Sequence, residues 1–105
     1  MTTNYTLIPH LPTQTPTDAK PTPIYDDTYQ RLILFHFPPS AGLTEHQAPY
    51  PVNIQILTGS ATVTVGDDKH TMTAGSWLQL PPTLPHSIFA QTDLTMLLQI
   101  IKTNQ

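Results

Sequence analysis

The stretch Gly75-Ser-Trp-Leu-Gln-Leu-Pro-Pro-Thr-Leu-Pro-His86 decides the fold of this chain. A glycine opens it, a short apolar strand follows, and a proline-rich corner precedes the histidine. Because proline cannot donate to a sheet ladder, the corner is confined to a loop or a sheet edge. The corner fixes the direction of His86, and an imidazole held by a stiff turn suits a metal ligand, a general base or a ligand anchor. A turn histidine that faces inward without any chemistry is an equally good explanation.

A second segment, His46-Gln-Ala-Pro-Tyr-Pro-Val-Asn-Ile-Gln-Ile-Leu-Thr-Gly59, also leads from a loop into a strand and ends at a glycine. Together the two segments resemble the paired motifs of the cupin superfamily. The second motif of that family has the form G-x5-P-x-G-x2-H-x3-N. This chain matches its first glycine, proline and histidine with Gly75, Pro81 and His86, whereas Thr83 and Ala90 replace the second glycine and the asparagine.

The first motif of the family, G-x5-H-x-H-x3-4-E-x6-G, is matched only in part. His46 and Gly59 stand at its first histidine and last glycine, but Ala48 replaces the second histidine and Val52 replaces the glutamate. Gly42 lies two residues closer to His46 than the motif requires. The resemblance covers roughly residues 30–101 and implies a cupin-type double-stranded β-helix, a jelly-roll barrel.

The rest of the pattern also predicts an all-β protein. The apolar run Arg31–Phe37 suits a strand that is partly covered on both faces. The segment Ala61–Val65 alternates between apolar residues and threonine, as a half-buried strand does. Short strands divided by frequent turn residues are typical of a sandwich or barrel. We therefore expect six to eight strands in two sheets over residues 30–101.

Residues 1–28 differ in composition from the rest of the chain. They contain five of the twelve prolines among many threonines, which excludes a helix and favours an extended or polyproline-like conformation. Apolar residues recur through the segment, so we favour an arm that lies over the barrel or over a neighbouring subunit; a disordered tail is the alternative. The predicted organisation is an extended N-terminal arm at 1–28 and a barrel domain at 29–105.

Composition excludes several classes of function. The chain has 105 residues, which suits one domain, and no cysteine, which excludes thiolate metal sites. The net charge is −3 and the four basic residues are scattered, so we expect no nucleic-acid partner. No apolar run approaches the length of a membrane span, and no export signal is evident, so we expect no membrane partner and a cytoplasmic location. Apolar strand edges that need covering predict a homodimer.

The resemblance to cupins implies a metal site built from two histidines and a glutamate of the first motif and one histidine of the second. Carried over position by position, only His46 and His86 remain as ligands, and we expect them to approach each other at the barrel mouth. His36 is a candidate third ligand, although a hydrogen-bonded core or interface histidine explains it more simply. The predicted pocket is largely apolar and comprises His46, Ala48, Val52, Ile54, Trp77, His86 and Ile88.

Two functional classes remain open from the sequence. In the first, the chain is a small-molecule-binding barrel with an eroded metal site, such as a sensor or accessory protein. It would carry no cofactor or only a weakly bound divalent transition metal (Zn, Ni, Fe or Mn). In the second, it is a metal-dependent enzyme of the dioxygenase or isomerase type that uses His46, His86 and a third ligand. The missing glutamate and second histidine favour the first, because catalytic zinc usually takes three protein ligands.

Overall fold

The computed structural model describes residues 5–11 and 21–102. No helix in this described part of the chain has the length and hydropathy needed to cross a membrane. The described residues form nine strands: β1 (Thr22–Asp26), β2 (Gln30–Phe37), β3 (Gly42–His46), β4 (Val52–Thr58), β5 (Ser60–Val65), β6 (Asp68–Thr73), β7 (Trp77–Leu80), β8 (His86–Ala90) and β9 (Leu94–Ile101).

The strands form two antiparallel sheets. Sheet A has five strands in the order β1-β2-β9-β4-β7, and sheet B has four in the order β3-β8-β5-β6. Eight of the nine strands lie within residues 30–101, at the upper end of the predicted number, and the prediction of a double-sheet jelly roll is confirmed. The ninth, β1, forms within the segment predicted to be an arm and pairs with β2.

The core lies between the two sheets and follows from the alternation of side chains along each strand. On β4, Val52, Ile54 and Ile56 are buried while the residues between them are not. On β5, Ala61 and Val63 are buried in the same way from the other sheet. Because side chains at every second position of a strand share a face, one set of alternate residues on each strand fills the interior of the barrel.

One end of the barrel, which we call the mouth, is defined by where the strands begin and end. β4 begins there with Val52, opposite Leu80 at the end of β7. The loop 81–85 then crosses from sheet A to sheet B, where His86 begins β8 beside Val65 at the end of β5. The amide of Gly66 donates to the carbonyl of Pro85 at 2.9 Å, which closes this corner. The opposite, closed end carries the turns between β2 and β3, β4 and β5, and β8 and β9.

The described part of the N-terminal segment, residues 5–11, lies against sheet A. Thr6, Ile8 and Leu11 line a cavity of about 440 Å³ together with residues of β1, β2 and β9. In the same segment Tyr5 and Leu7 are exposed. The division of the chain into an arm at 1–28 and a barrel at 29–105 remains a prediction, since much of the predicted arm lies outside the described residues.

Two residues other than glycine adopt a positive φ among the described residues, and both stand where the cupin motifs have glycine. Ser40 has φ 75° and Thr83 has φ 69°. Ser40 ends its turn with the amide of Ala41 donating to the carbonyl of Pro38 at 3.1 Å. The left-handed conformation disfavours any residue with a Cβ, and a β-branched one most. The chain therefore adopts the left-handed conformation at both positions without a glycine.

Replacing Thr83 with glycine is expected to stabilise the fold. Relief of the left-handed conformation gains about 1–2 kcal/mol, and the greater flexibility of unfolded glycine offsets about 0.5–1 kcal/mol of it. The net gain in the free energy of unfolding is about 1 kcal/mol, measured by urea denaturation. As a control, Thr71→Gly changes an exposed strand residue and should destabilise. A Thr83→Gly variant no more stable than wild type would show that the conformation carries no strain.

Candidate functional site

Two histidines meet at the mouth of the barrel. β3 and β8 are neighbours in sheet B, and His46 is the cross-strand partner of His86. The two imidazole rings lie with their centroids 4.3 Å apart and their planes at 62°. His86 is buried at 4% exposure, whereas His46 is exposed. The structure thus brings together the two histidines singled out from the sequence, with one ring anchored in the barrel and the other open to solvent.

A bulge in β3 produces this pairing. Leu43 opposes Ile88, and an unbroken antiparallel register would then place Glu45 opposite His86. The register shifts between Leu43 and His46, so one extra residue is accommodated and His46 takes the position beside His86. A bulge re-aims a side chain in this way because the side chains alternate with a period of two. The local irregularity therefore exchanges a carboxylate for an imidazole at the inward position.

Backbone carbonyls hold both rings in one tautomer. Nδ1 of His46 lies 2.9 Å from the carbonyl oxygen of Thr44, and Nδ1 of His86 lies 2.9 Å from that of Leu84. Since a carbonyl oxygen only accepts, Nδ1 of each ring is the donor. Nε2 of each neutral ring is then an acceptor, and neither Nε2 has a hydrogen-bond partner among the described residues. The pair presents two adjacent nitrogen lone pairs.

The environment of His86 favours its neutral form. Burial lowers the pKa of His86 below 6.5, because desolvation penalises the imidazolium. The hydrogen bond to the Leu84 carbonyl raises the pKa, and the neighbouring charge of protonated His46 lowers it further. The net shift is downward, so His86 is neutral at pH 7 and its Nε2 can accept a hydrogen bond there.

This shift makes the stability of the protein depend on pH. In the folded protein the pKa of His86 lies below the unfolded value of 6.5. The stability of the fold is therefore unaffected by the protonation of His86 above pH 6.5. It falls as the pH drops from 6.5 towards the folded pKa, because His86 then binds a proton more readily in the unfolded chain than in the folded protein. Urea denaturation across this range should show a declining free energy of unfolding. The decline should be shallower in His86→Gln. His70→Gln, which alters an exposed histidine of β6, is the comparison variant. Equal slopes in wild type and His86→Gln would contradict the prediction.

The other residues of the predicted pocket differ in where they lie. Val52, Ile54 and Ile88 belong to the buried core, and Ala48 packs against it. Trp77 does not join them, contrary to the prediction. It opposes Gln55 on the outer face of sheet A, is 62% exposed, and lines a cavity of about 280 Å³ with residues of β6. In β7, Leu78 and Leu80 take the inward positions, so the indole must point outward.

His36 is also separate from the pair. It is buried at 3% exposure, and its Nε2 contacts the hydroxyl of its cross-strand partner Thr95. The neighbouring residues Phe35 and Phe37 belong to the core, so His36 lies on the outer face of sheet A. A site formed by His36, His46 and His86 is therefore wrong, and the alternative of a hydrogen-bonded buried histidine describes His36.

The donor set does not fit a resident transition metal. Within residues 5–11 and 21–102, no three histidine, cysteine or acidic side chains come together. The pair offers two imidazole nitrogens, and the positions that would supply a third and fourth ligand hold the methyl of Ala48 and the buried side chain of Val52. Two neutral imidazoles fall short of the three protein ligands usual even at open catalytic sites.

One further residue, Arg31, lies at the mouth and was not among the predicted site residues. It lies at the start of β2, in unbroken register with β9, and shares its face with Ile33, Phe35 and Phe37 of the core. Its side chain is therefore directed inward at the mouth. In the sequence Arg31 stands out only as one of four scattered basic residues, although its parity with three apolar residues of the same strand is a usable signal.

Comparison with known proteins supports the resemblance seen in the sequence. The chain matches the sequence profile of the cupin domain over residues 33–101, which is well over half of its length. Among curated proteins, no sequence matches it significantly.

Several solved structures share the fold. A cupin superfamily protein from Desulfitobacterium hafniense is 18% identical with a TM-score of 0.78, over 89% of this chain and 84% of that one. A protein of unknown function from Streptococcus pyogenes is 19% identical with a TM-score of 0.76, over 84% of this chain and 77% of that one. A variant of salicylate 1,2-dioxygenase from Pseudoaminobacter salicylatoxidans is 14% identical with a TM-score of 0.67, over 70% of this chain but only 21% of the enzyme. At these identities the likeness concerns the fold alone.

Proposed function

The chain belongs to the cupin domain family, and on this premise we propose that it is a small-molecule-binding barrel, such as a sensor or accessory protein, whose ligand is held at the mouth by His46 and His86. One observation carries the proposal. Both rings donate from Nδ1 to backbone carbonyls, neither Nε2 atom has a hydrogen-bond partner in the described part of the chain, and the ring centroids are 4.3 Å apart. Such a pair is already oriented before a ligand arrives, so little side-chain ordering opposes binding.

The chemistry of the pair indicates what kind of group it takes. An unprotonated Nε2 atom accepts a hydrogen bond, so the pair suits a ligand that carries hydroxyl or N–H donors. Val52 and Ile54 are core side chains on the inward face of β4. An apolar lining of this kind suits a small hydrocarbon portion of the same ligand. The burial that keeps His86 neutral also maintains its acceptor character at pH 7.

A fragment screen tests the proposal. Hydroxyl- and N–H-bearing fragments are screened by ligand-observed NMR against wild type, the His46→Gln/His86→Gln variant and His70→Gln, which alters a histidine of β6 that is exposed. We expect a set of fragments that bind wild type and His70→Gln but not the double variant. If every binding fragment is retained by the double variant, the imidazole pair is not the binding site.

A metal-dependent enzyme is the second candidate. Two facts favour it: metal-binding histidines commonly donate their other ring nitrogen to a backbone carbonyl, and a dioxygenase contains a barrel of this shape. The shortage of donors weighs against it. Metal analysis of tag-free protein after dialysis against a chelator separates the two functions. We expect no retained metal, whereas one tightly bound transition-metal ion per chain would favour the enzyme.

We also propose that the protein is a cytoplasmic homodimer. The exposed side chains of Tyr5, Leu7 and Trp77 are large and apolar, and burying them in a two-fold pair would remove them from water. Sedimentation velocity at micromolar concentration should give the mass of a dimer. A single species with the mass of one chain would rule this assembly out.

A further inference from the structure

Arg31 brings a positive charge to the inside of the mouth. Its inward neighbours in sheet A form one row across the strands, through Ile100 of β9 and Val52 of β4 to Leu80 of β7. All three of these neighbours are core residues or pack against the core. Nε of Arg31 is buried and has no hydrogen-bond partner among the described residues. Leaving a buried N–H donor of a charged group without a hydrogen bond costs free energy. The Nε atom of Arg31 is therefore suited to an acceptor atom on a bound ligand.

Arg31 and the histidine pair lie at the same end of the barrel. β2 runs from the mouth to the closed end, where a short turn reverses the chain into β3. Arg31 stands at the start of β2 and His46 at the end of β3, so both are at the mouth. His86 begins β8 at that end as well. The mouth therefore combines one guanidinium with two imidazole acceptors.

Among the described residues, no carboxylate forms an ion pair with Arg31. Asp26 is the cross-strand partner of Arg31, but its carboxylate pairs with the ammonium of Lys102. Asp67 lies in the exposed turn before β6 and Asp68 is the first residue of β6, which is at the opposite edge of sheet B from β3. The position of the family's glutamate holds Val52. The positive charge of Arg31 therefore favours an anionic ligand at the mouth and disfavours a cationic one.

We propose that the mouth binds a small hydroxycarboxylate, with Arg31 pairing with its carboxylate and one Nε2 atom of the pair, that of His46 or of His86, accepting from its hydroxyl group. The inference rests on the proposed function and names its ligand class. Arginine forms paired N–H···O bonds with a planar carboxylate, and a single guanidinium matches the charge of one carboxylate. The apolar row beside Arg31 suits a short hydrocarbon skeleton better than a heavily hydrated phosphate.

The test uses glycolate as the probe, glycolamide as its neutral analogue and inorganic phosphate as the rival oxyanion. Binding is measured by isothermal titration and by the side-chain ¹H–¹⁵N NMR signal of Arg31 Nε. We expect glycolate to bind more tightly than either other probe and to shift that signal. Arg31→Gln should weaken glycolate binding roughly tenfold to hundredfold, the usual effect of losing hydrogen bonds to a charged group. Lys69→Gln removes the same charge from the exposed β6 and should change binding less than twofold.

The outcomes separate this inference from the proposed function. Equal affinities for glycolate and glycolamide, or an Arg31→Gln variant that binds like wild type, would overturn the role of Arg31. Tighter binding of phosphate would overturn the assignment to carboxylates. Glycolate binding that depends on Arg31 but is unchanged in His46→Gln/His86→Gln would retain the anion site and reject the imidazole pair. Arg31→Lys keeps the charge without the planar fork and should retain an intermediate affinity, which also guards against loss of folding in Arg31→Gln.

Discussion

A variant carrying Ala48→His and Val52→Glu is expected to bind Zn²⁺ about 10⁴-fold more tightly than wild type. Structural sites with four ligands bind Zn²⁺ with a free energy of roughly 10–16 kcal/mol, so each ligand contributes on the order of a hundredfold in affinity. Both positions are those of the family's missing ligands, and Val52 faces the interior at the mouth, in the first residue of β4. The new carboxylate would also offset the charge of Arg31. Isothermal titration with Zn²⁺ on tag-free protein measures the gain.

The structure offers a matched control for this variant. Asn53 is the next residue on β4, and its amide donates to Gln99 at 3.0 Å on the outer face of sheet A. Ala48→His with Asn53→Glu therefore adds the same two residue types while directing the carboxylate away from the mouth. This control should gain far less affinity. An equal gain in both variants would mean that the carboxylate at position 52 does not reach the histidine pair.

Gly42→Ala is expected to destabilise the fold by about 3 kcal/mol, at the upper end of what overpacking costs. A Cβ on Gly42 would lie 1.9 Å from the carbonyl oxygen of Ile88 and 2.8 Å from its carbon, both in the backbone of β8. The backbone of a paired strand cannot rotate away as a side chain would, so β3 must separate from β8. Denaturation with urea gives the loss, and NMR signals of the His86 ring should shift as His46 moves away.

Gly66→Ala is the control for this second prediction. Gly66 has φ +57°, and a Cβ there would meet nothing within 4 Å. Its cost is limited to the left-handed conformation, roughly 1 kcal/mol. If Gly42→Ala proves no more harmful than Gly66→Ala, then β3 moves without penalty and its close approach to β8 does not hold the histidine pair together.

The fold was predictable from the sequence because its signals are local. Glycine and proline mark the turns, and the alternation of threonine with apolar residues marks β5 as it stands in the structure. β1 was not predicted because it forms by pairing with β2 in the folded protein, whereas the prolines around Thr22–Asp26 indicate only an extended chain. β3 likewise has one partner, β8, which lies far from it in sequence.

The site was predictable only where the motif spacing carried over. The approach of His46 to His86 was foreseen, but the bulge that produces it depends on how β3 pairs with β8, which no local pattern specifies. The prediction that Trp77 lines the pocket is wrong because Leu78 and Leu80 alternate with it on β7 and take the inward face. The position of Arg31 at the mouth could not be predicted, because it depends on which residues of the neighbouring strands lie beside Arg31 in the sheet.

The position of β9 has a consequence for how the protein is made. This last strand of the described chain lies inside sheet A, hydrogen-bonded to β2 on one side and to β4 on the other. Without it, sheet A separates into two ribbons of two strands, each marginally stable alone. A ribosome-bound chain must therefore wait until Leu94–Ile101 has left the exit tunnel before the barrel can close. A separately supplied peptide of that sequence should complement a chain that lacks it.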